Sequence, residues 1–192
     1  MEIKEENVLA AYETARQAGA DSTMKVLESL FGKEVFNKSK DVTERIKTFE
    51  DACRELGGNN IFVQEYKDAT CSDFLTIDTL AYLKLRIVCA ALNEGWEPQL
   101  TEDEKRWYPW HWLYTQKEID EMDEEEKTDR CMITTGDYLT EYAGFACAHS
   151  AYSPSHPNSH FGSRLCLKSD TLATYCGKQF VELWADFKLI RR

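Results

Sequence analysis

The longest apolar segment of the sequence, residues 76–96, predicts the helix around which much of the chain has to pack. Its apolar residues recur three and four positions apart, which places them on one side of a helix. Gly95 suits the end of this helix. A buried side this wide is typical of a central core helix, and it consists of Leu80, Leu83, Ile87, Ala90 and Ala91, widened by Val88 and Leu92.

Three earlier segments show the same periodicity, and they predict helices at residues 7–19, 23–32 and 41–58. In the third segment, Asp41 is expected to cap the helix and Glu44 to return the hydrogen bond. The apolar stripe expected along this helix comprises Ile46, Phe49, Cys53 and Leu56.

The second half of the sequence is richer in Gly, Pro, Ser and Asn, and its elements are shorter. A final helix is expected to begin after Ser169, which suits the cap position. The resulting fold class is α+β, with a mainly helical region at residues 1–95 and a loop-rich domain at residues 96–192. Short strands separated by loops are predicted at residues 110–114, 130–135, 143–148 and 163–168.

The acidic composition narrows the range of partners. A formal net charge of −11 argues against free nucleic acid and against a negatively charged membrane surface, because both need a basic face. The acidic run at residues 118–129 predicts a solvated helix or turn, since it lacks the alternating Asp/Asn and the Gly of a calcium loop. We also expect no signal peptide and no membrane insertion, because the first residues are charged and no long apolar span occurs.

The seven cysteines show no C-x-x-C spacing, so neither a zinc ribbon nor a thioredoxin site is indicated. Free thiols in a reducing cytosol are the expectation. Cys53 and Cys89 lie in helical patterns and are predicted to be small buried hydrophobic residues. Cys147 and Cys166 lie in strand-like patterns and are predicted to be buried as well.

Three of the four histidines, His149, His156 and His160, lie close together in the sequence. Spacings of seven and four residues can meet a zinc ion. However, no H-E-x-x-H motif is present and two prolines interrupt the segment. We therefore predict surface imidazoles that serve recognition, with no metal and no cofactor.

The segment from 142 to 167 lacks five residue types that are common elsewhere. Glu, Lys, Gln, Met and Trp make up 49 of the 192 residues, yet none occurs in this segment. These five amino acids have no codon that ends in a pyrimidine, whereas every amino acid of the segment has one. Randomised adenines in asparagine codons would produce this composition. An ordinary surface loop rich in Ser, Pro and Asn is the alternative.

The stretches "WYPWHWLYTQKEIDEMDEEEK" and "TTGDYLTEYAGFACAHS", and the stretch "FGSRLCLKS" with its Gly-x-Arg pattern, resemble the variable proteins encoded by diversity-generating retroelements of gut bacteriophages and Bacteroidales. That family has a C-type lectin fold, which it shares with formylglycine-generating enzymes. The resemblance covers about residues 96–192, with a variable region at about 137–161. "TERIKTFEDACRELG" upstream also resembles phage proteins.

The resemblance implies a non-enzymatic receptor-recognition protein on whose rigid scaffold a retroelement rewrites the exposed side chains. Its ligand would be a protein or glycan on a cell surface. The protein would be virion-associated, or cytoplasmic before assembly, as a homo-oligomer or part of a virion. The positions that match the rewritten ones are Asp137, Tyr138, Tyr142, Phe145, His149, Tyr152, Ser153, Ser155, His156, Asn158 and His160. Those assigned to the scaffold are Gly144, Ala146, Ser150, Gly162, Ser163 and Arg164.

The mixture of side chains at these positions suits binding. Tyr and His cover a large area with few torsions to restrict, and Ser and Asn offer adaptable hydrogen bonds. Trp107, Trp110, Trp112 and the final helix are expected to supply the supporting frame, with stacking on a sugar as the alternative for the aromatic cluster at residues 107–114. Two other functions stay open. One is a phage structural or assembly protein without diversified binding, and the other is an oxidase of the formylglycine-generating type.

Overall fold

A computed structural model describes residues 5–36, 41–72, 74–99, 101, 103–154 and 164–192. The chain divides into two compact units, Met1–Asp41 and Val42–Arg192. This division differs from the sequence-based boundary near residue 95. Helix α7 (Ile77–Leu92) precedes that boundary but packs against helix α11 (Val181–Lys188), so both helices belong to the second unit.

Within its described residues, the first unit contains three helices, α1 (Glu5–Gln17), α2 (Asp21–Phe31) and α3 (Lys33–Phe36). The Tyr12 ring of α1 stacks on the Phe36 ring of α3, with 4.1 Å between the ring centroids. The Tyr12 hydroxyl donates a hydrogen bond of 2.6 Å to Glu28 of α2. The two helices predicted here are confirmed, and one tyrosine contacts both of the helices that follow it.

Helix α7 is the central helix of the second unit, as its sequence predicts. It packs against α5 (Phe49–Leu56), α6 (Ile61–Thr70) and α11. A helix with partners on several sides needs apolar residues around most of its circumference. Its fully buried residues accordingly extend beyond one narrow stripe and include Leu85, Ile87, Val88, Cys89 and Leu92.

The prediction of one continuous helix over residues 41–58 is wrong. The segment forms a short helix α4 (Val42–Arg45), a break, and then α5. Thr48 caps α5: its hydroxyl accepts a hydrogen bond of 3.1 Å from the Asp51 N–H, and the Thr48 N–H donates one of 2.8 Å to the Asp51 carboxylate. This capping box starts a new helix after the break, and Ile46 within the break remains buried.

Three antiparallel strands form a sheet in the order β1-β3-β2, with β1 at Lys105–Tyr114, β2 at Ile133–Thr134 and β3 at Gly144–Pro154. Both long strands exceed their predicted lengths, and residues 149–154, predicted to be a loop, form the end of β3. Pro109 is tolerated inside β1 because β1 is an edge strand, which does not need every N–H for pairing. The predicted strand at 163–168 is reduced to one bridge between Leu167 and Trp107.

The acidic run forms two short solvated helices, α8 (Gln116–Glu121) and α9 (Glu124–Asp129), which confirms its predicted character. Thr115 caps the first helix and Asp123 the second. In the described part of the chain, no helix has both the length and the apolar character that crossing a membrane requires.

The predicted final helix is divided into α10 (Asp170–Gln179), which Ser169 caps as expected, and α11. The break lies at Phe180, where φ is −115° and ψ is 32°. Gly177, which could have been expected to bend the final helix, instead lies where α10 packs closely on the sheet. A Cβ atom at residue 177 would lie 2.5 Å from the Cys147 Sγ and 2.5 Å from the Pro109 Cβ.

We predict that Gly177→Ala destabilises the protein by about 2 kcal/mol, because overpacking against the proline ring outweighs the helix propensity that alanine adds, about 1 kcal/mol. Urea unfolding measures the change in the free energy of unfolding. Gly136→Ala is the matched control, since nothing lies within 4 Å of a Cβ atom there. Equal stability of the two variants would contradict the close packing of α10 on the sheet.

Candidate functional site

Two aromatic pairs join strands β1 and β3. Trp110 lies opposite His149, with 6.0 Å between nearly parallel rings, and Trp107 lies opposite Tyr152, with 5.1 Å between tilted rings. The pairs form because directly opposed residues of antiparallel strands project to the same face. Trp110 and Tyr152 keep 43% and 51% of their surfaces exposed. Aromatic side chains of both strands are therefore accessible to a ligand.

A cleft of about 580 Å³ lies beside these pairs, between the two strands and helix α11. We call it the aromatic cleft. Strand β1 contributes four consecutive residues, and α11 contributes three residues spaced so that they share one side of the helix. The residues lining it are Tyr108, Pro109, Trp110 and His111 of β1, Ala151 and Tyr152 of β3, Leu165, and Trp184, Phe187 and Lys188 of α11.

His111 and Lys188 form a polar contact in this apolar surrounding. The Lys188 Nζ lies 2.9 Å from the His111 Nδ1, and the His111 Nε2 lies 3.4 Å from the carbonyl oxygen of Gly177. Burial, reinforced by the Lys188 charge, lowers the pKa of His111 to about 3. The imidazole is therefore neutral at physiological pH. Its Nδ1 accepts a hydrogen bond from Lys188, and its Nε2–H faces the carbonyl.

The His111 ring is also held by two aromatic contacts. It stacks on Phe145, with 4.7 Å between centroids and 7° between planes, and lies 5.7 Å from the Trp184 ring. The Lys188 Nζ lies 5.1 Å from the centroid of Trp184. Although Lys188 is exposed as a residue, desolvation of its ammonium group lowers the pKa of Lys188 to about 8. At neutral pH this residue still carries a positive charge into the cleft.

Four of the predicted ligand-binding positions lie at the surface: Asp137, Tyr142, His149 and Tyr152. The backbone of Ser153 pairs with Arg106 in the register of the sheet. The other positions, Ser155, His156, Asn158 and His160, fall outside the described residues. The described exposed positions thus include the two that pair with tryptophans of β1.

Tyr138 and Phe145 have to be removed from the predicted ligand-contacting surface. Tyr138 is 5% exposed and Phe145 is 2% exposed. The Tyr138 hydroxyl donates a hydrogen bond of 2.8 Å to Asp186 of α11, and Phe145 packs on His111. Tyr138 is thus bonded to α11 and Phe145 is packed on β1, and both side chains are buried in the core, where a ligand does not reach them.

Two of the residues assigned to the scaffold, Gly144 and Ala146, lie in the core as that assignment requires, and Arg164 does not. Gly144 and Ala146 are buried, Ser150 is partly buried and Arg164 is exposed, whereas Gly162 and Ser163 fall outside the described residues. A Cβ atom on Gly144 would lie 2.8 Å from Ile119. Any larger residue at 144 would therefore require the Ile119 side chain to shift.

The cysteines predicted to be buried in strand-like patterns, Cys147 and Cys166, are buried. Burial raises the pKa of each of these thiols to about 11. Both therefore remain protonated at neutral pH, and the protonated thiol is the less reactive form. No group of three or more His, Cys, Asp or Glu side chains in the described part of the chain is arranged to hold a metal ion.

The expectation that all three tryptophans of β1 belong to a supporting frame is wrong for two of them. Trp110 and Trp112 are exposed, and only Trp107 is partly buried. The contribution of α11 to the cleft was not predicted from the sequence, which indicated only that the final helix supports the frame. The only available signal was the spacing of Trp184, Phe187 and Lys188, which places them on one side of a helix without saying what that side contacts.

We predict that His111 makes the protein less stable in acid. The pKa of His111 is near 6.5 in the unfolded chain and about 3 in the folded one. Between these pH values the unfolded state binds a proton that the folded state does not. The free energy of unfolding therefore falls as the pH is lowered, by up to about 1.4 kcal/mol per pH unit. His111→Gln should reduce this slope in urea unfolding measured from pH 7 to pH 4.

His149→Gln is the matched control for this measurement, because His149 is exposed. The carboxylates of the protein titrate in the same pH range, but their contribution is shared by both variants and cancels in the comparison. A His111→Gln variant with the same slope as His149→Gln would contradict the neutral, buried state of His111.

We predict that two tyrosines among the predicted ligand-binding positions, Tyr138 and Tyr152, differ in how well the fold tolerates their substitution. Tyr138→Ser should cost about 3 kcal/mol, because it removes a buried ring and the hydrogen bond to Asp186. Tyr152→Ser should change the free energy of unfolding by about 0.5 kcal/mol or less, because the ring is largely in solvent. Thermal and urea unfolding measure both changes. Similar losses at the two positions would mean that Tyr152 is also part of the core.

Comparisons with models of protein families, with curated proteins and with solved structures give no match for this chain. The resemblance described from the sequence therefore rests on the residues and motifs that carry it.

Proposed function

We propose that the second unit, Val42–Arg192, is a non-enzymatic ligand-binding domain, and that its C-type lectin-like part, residues 96–192, carries a surface diversified by a retroelement. The observation that carries this proposal is the position of His149 and Tyr152 on β3. Both have residue types available to randomised asparagine codons, both are exposed, and each pairs with a tryptophan of β1. Residues between variable positions, such as Ala146, lie inside.

The physical requirements of a replaceable surface support the proposal. A position can accept many residue types only if its side chain does not stabilise the fold, and exposed residues of β3 meet that condition. The strand itself is held by backbone hydrogen bonds to β1 and β2, which are the same for every side chain. Replacement at residues 149 and 152 therefore leaves the supporting frame in place.

Recognition in this proposal is non-covalent. The exposed rings supply contact area with few torsions to restrict, and the strand limits their motion before the ligand arrives. The ligand would be a protein or glycan on a cell surface, and the protein would be phage-encoded and associated with a virion. The buried, protonated thiols of Cys147 and Cys166 favour binding over the oxidase alternative.

A role in assembly is the second candidate, and the first unit favours it. Helix α2 has no buried residue in its described length, and Val26 and Leu30 are 57% and 69% exposed. Apolar residues at i and i+4 share one side of a helix. An exposed apolar side of this kind is typical of a segment that packs against another protein.

We predict that sister genes differ mainly at the exposed positions of residues 137–161, with Tyr142, His149 and Tyr152 among the most variable. The differences should match a nearby template repeat beside a reverse transcriptase gene, and Gly144 and Ala146 should not vary. Genome comparison tests this directly. Differences spread evenly along the chain would contradict diversification and favour the assembly role.

A further inference from the structure

We infer that the aromatic cleft binds a flat aromatic group that carries a carboxylate, with the carboxylate on the Lys188 Nζ and the ring against the aromatic walls. This inference deepens the proposed function, and it rests on that function in one respect: it takes this face of the domain to be a recognition surface. Its main determinants, Trp110, Trp184 and Lys188, lie outside the set of variable positions.

The size and lining of the cleft suit a small ring system. Its volume of about 580 Å³ lies within the range of sites for small molecules, about 300–1,000 Å³. Six of the ten lining residues carry aromatic or imidazole rings. Rings prefer stacked or edge-on contact with other rings, which adds to the free energy of burying their area. A flat aromatic group gains more from these walls than an aliphatic one of equal size.

The charge of the cleft selects an anion. Lys188 is the only charged residue among those described as lining it. In the described part of the chain, no carboxylate lies within ion-pair distance of its Nζ. An ammonium group has three N–H donors, and the contacts of Lys188 Nζ within the structure are to the His111 Nδ1 at 2.9 Å and the Pro109 carbonyl at 3.5 Å.

The ammonium group is therefore held in place with donor capacity left for a ligand. His111 fixes its position without neutralising it, because the imidazole is itself uncharged. Desolvation lowers the pKa of Lys188 to about 8, so the ammonium group loses part of its hydration even though the residue is exposed. A bound carboxylate would compensate for that lost hydration through a charge-assisted hydrogen bond.

The lining argues against two other ligand classes. A sugar needs several hydrogen-bonding side chains around its hydroxyl groups, and the described lining includes no Asp, Glu, Asn or Gln. A phosphate group is usually held by several donors or an arginine fork, and here one lysine stands alone. A single carboxylate beside a ring matches one ammonium group beside aromatic walls.

Two kinds of ligand carry a carboxylate beside an aromatic ring: a free aromatic acid, and the C-terminal aromatic residue of a partner protein. Tyr152 lines the cleft and is also one of the predicted variable positions. Replacement of Tyr152 would then tune which aromatic groups enter, while Lys188 keeps the requirement for a carboxylate. The variable residue Tyr152 and the constant residue Lys188 would thus contact the same ligand.

The test compares N-acetyltryptophan with N-acetyltryptophanamide, which share the indole ring but differ in the negative charge. Isothermal titration calorimetry of the full chain at pH 7 should show about tenfold tighter binding of the acid, the value of one charge-assisted hydrogen bond. Equal affinities, or no binding of either compound at millimolar concentration, would overturn the inference. This comparison needs no variant and does not depend on the folding of one.

Substitutions of Lys188 and Trp110 test whether these residues cause the preference for the acid and the binding of the ring. Lys188→Met should abolish the preference for the acid, so that the acid and the amide bind with equal affinity, and Trp110→Ala should weaken binding of both compounds. Lys117→Met is the control, because Lys117 lies on the solvated helix α8 with its side chain 85% exposed. A persistent preference for the acid in folded Lys188→Met would overturn the role of Lys188.

A short peptide that ends in tryptophan separates the two sources. Binding of the free-acid peptide but not of its C-terminal amide would identify a chain end as the source, and binding of N-acetyltryptophan alone would identify a free acid. The outcome is independent of the genome comparison. If neither compound binds while sister genes vary at the exposed positions, the cleft inference fails and the proposed function stands.

Discussion

The candidate site depends on how closely helix α10 approaches the sheet at Gly177. With no side chain there, the helix backbone lies directly on Pro109 of β1 and Cys147 of β3. The break at Phe180 then starts α11 beside the same strands. This arrangement brings the Gly177 carbonyl to His111, and it brings Trp184 and Lys188 to the wall opposite Trp110. A larger residue at 177 would clash with Pro109 and Cys147 in this arrangement.

Strand β3 combines two roles through alternation and a bulge. Its first half, from Gly144 to Cys147, is buried between α8, α10 and β1, and it stabilises the domain. After the irregularity opposite Trp110 and His111, the strand carries the exposed residues His149 and Tyr152. A bulge increases local twist and redirects side chains. The same strand therefore contributes core residues at one end and accessible rings at the other.

Much of the fold follows from local sequence patterns. The helix over residues 77–92, the capped start of the final helix and the solvated acidic helices were predictable because their signals lie within one or two helical turns. The breaks at residues 46–48 and at Phe180 were not, because apolar periodicity continued across both. The length of β3 was also missed, since small and aromatic residues near prolines suit a loop as well as a strand.

For the site, the sequence by itself determined the residue types of segment 142–167, the absence of Glu, Lys, Gln, Met and Trp there and the acidic surroundings. Only the tertiary structure decided which of the predicted ligand-binding positions can meet a ligand. Tyr138 and Tyr152 are chemically identical, but one is bonded to Asp186 in the core and the other lies open beside Trp107. Lys188 likewise gains its role from His111, 77 positions away in the chain. Burial and long-range contacts are properties of the packed chain, and no local pattern of residues encodes them.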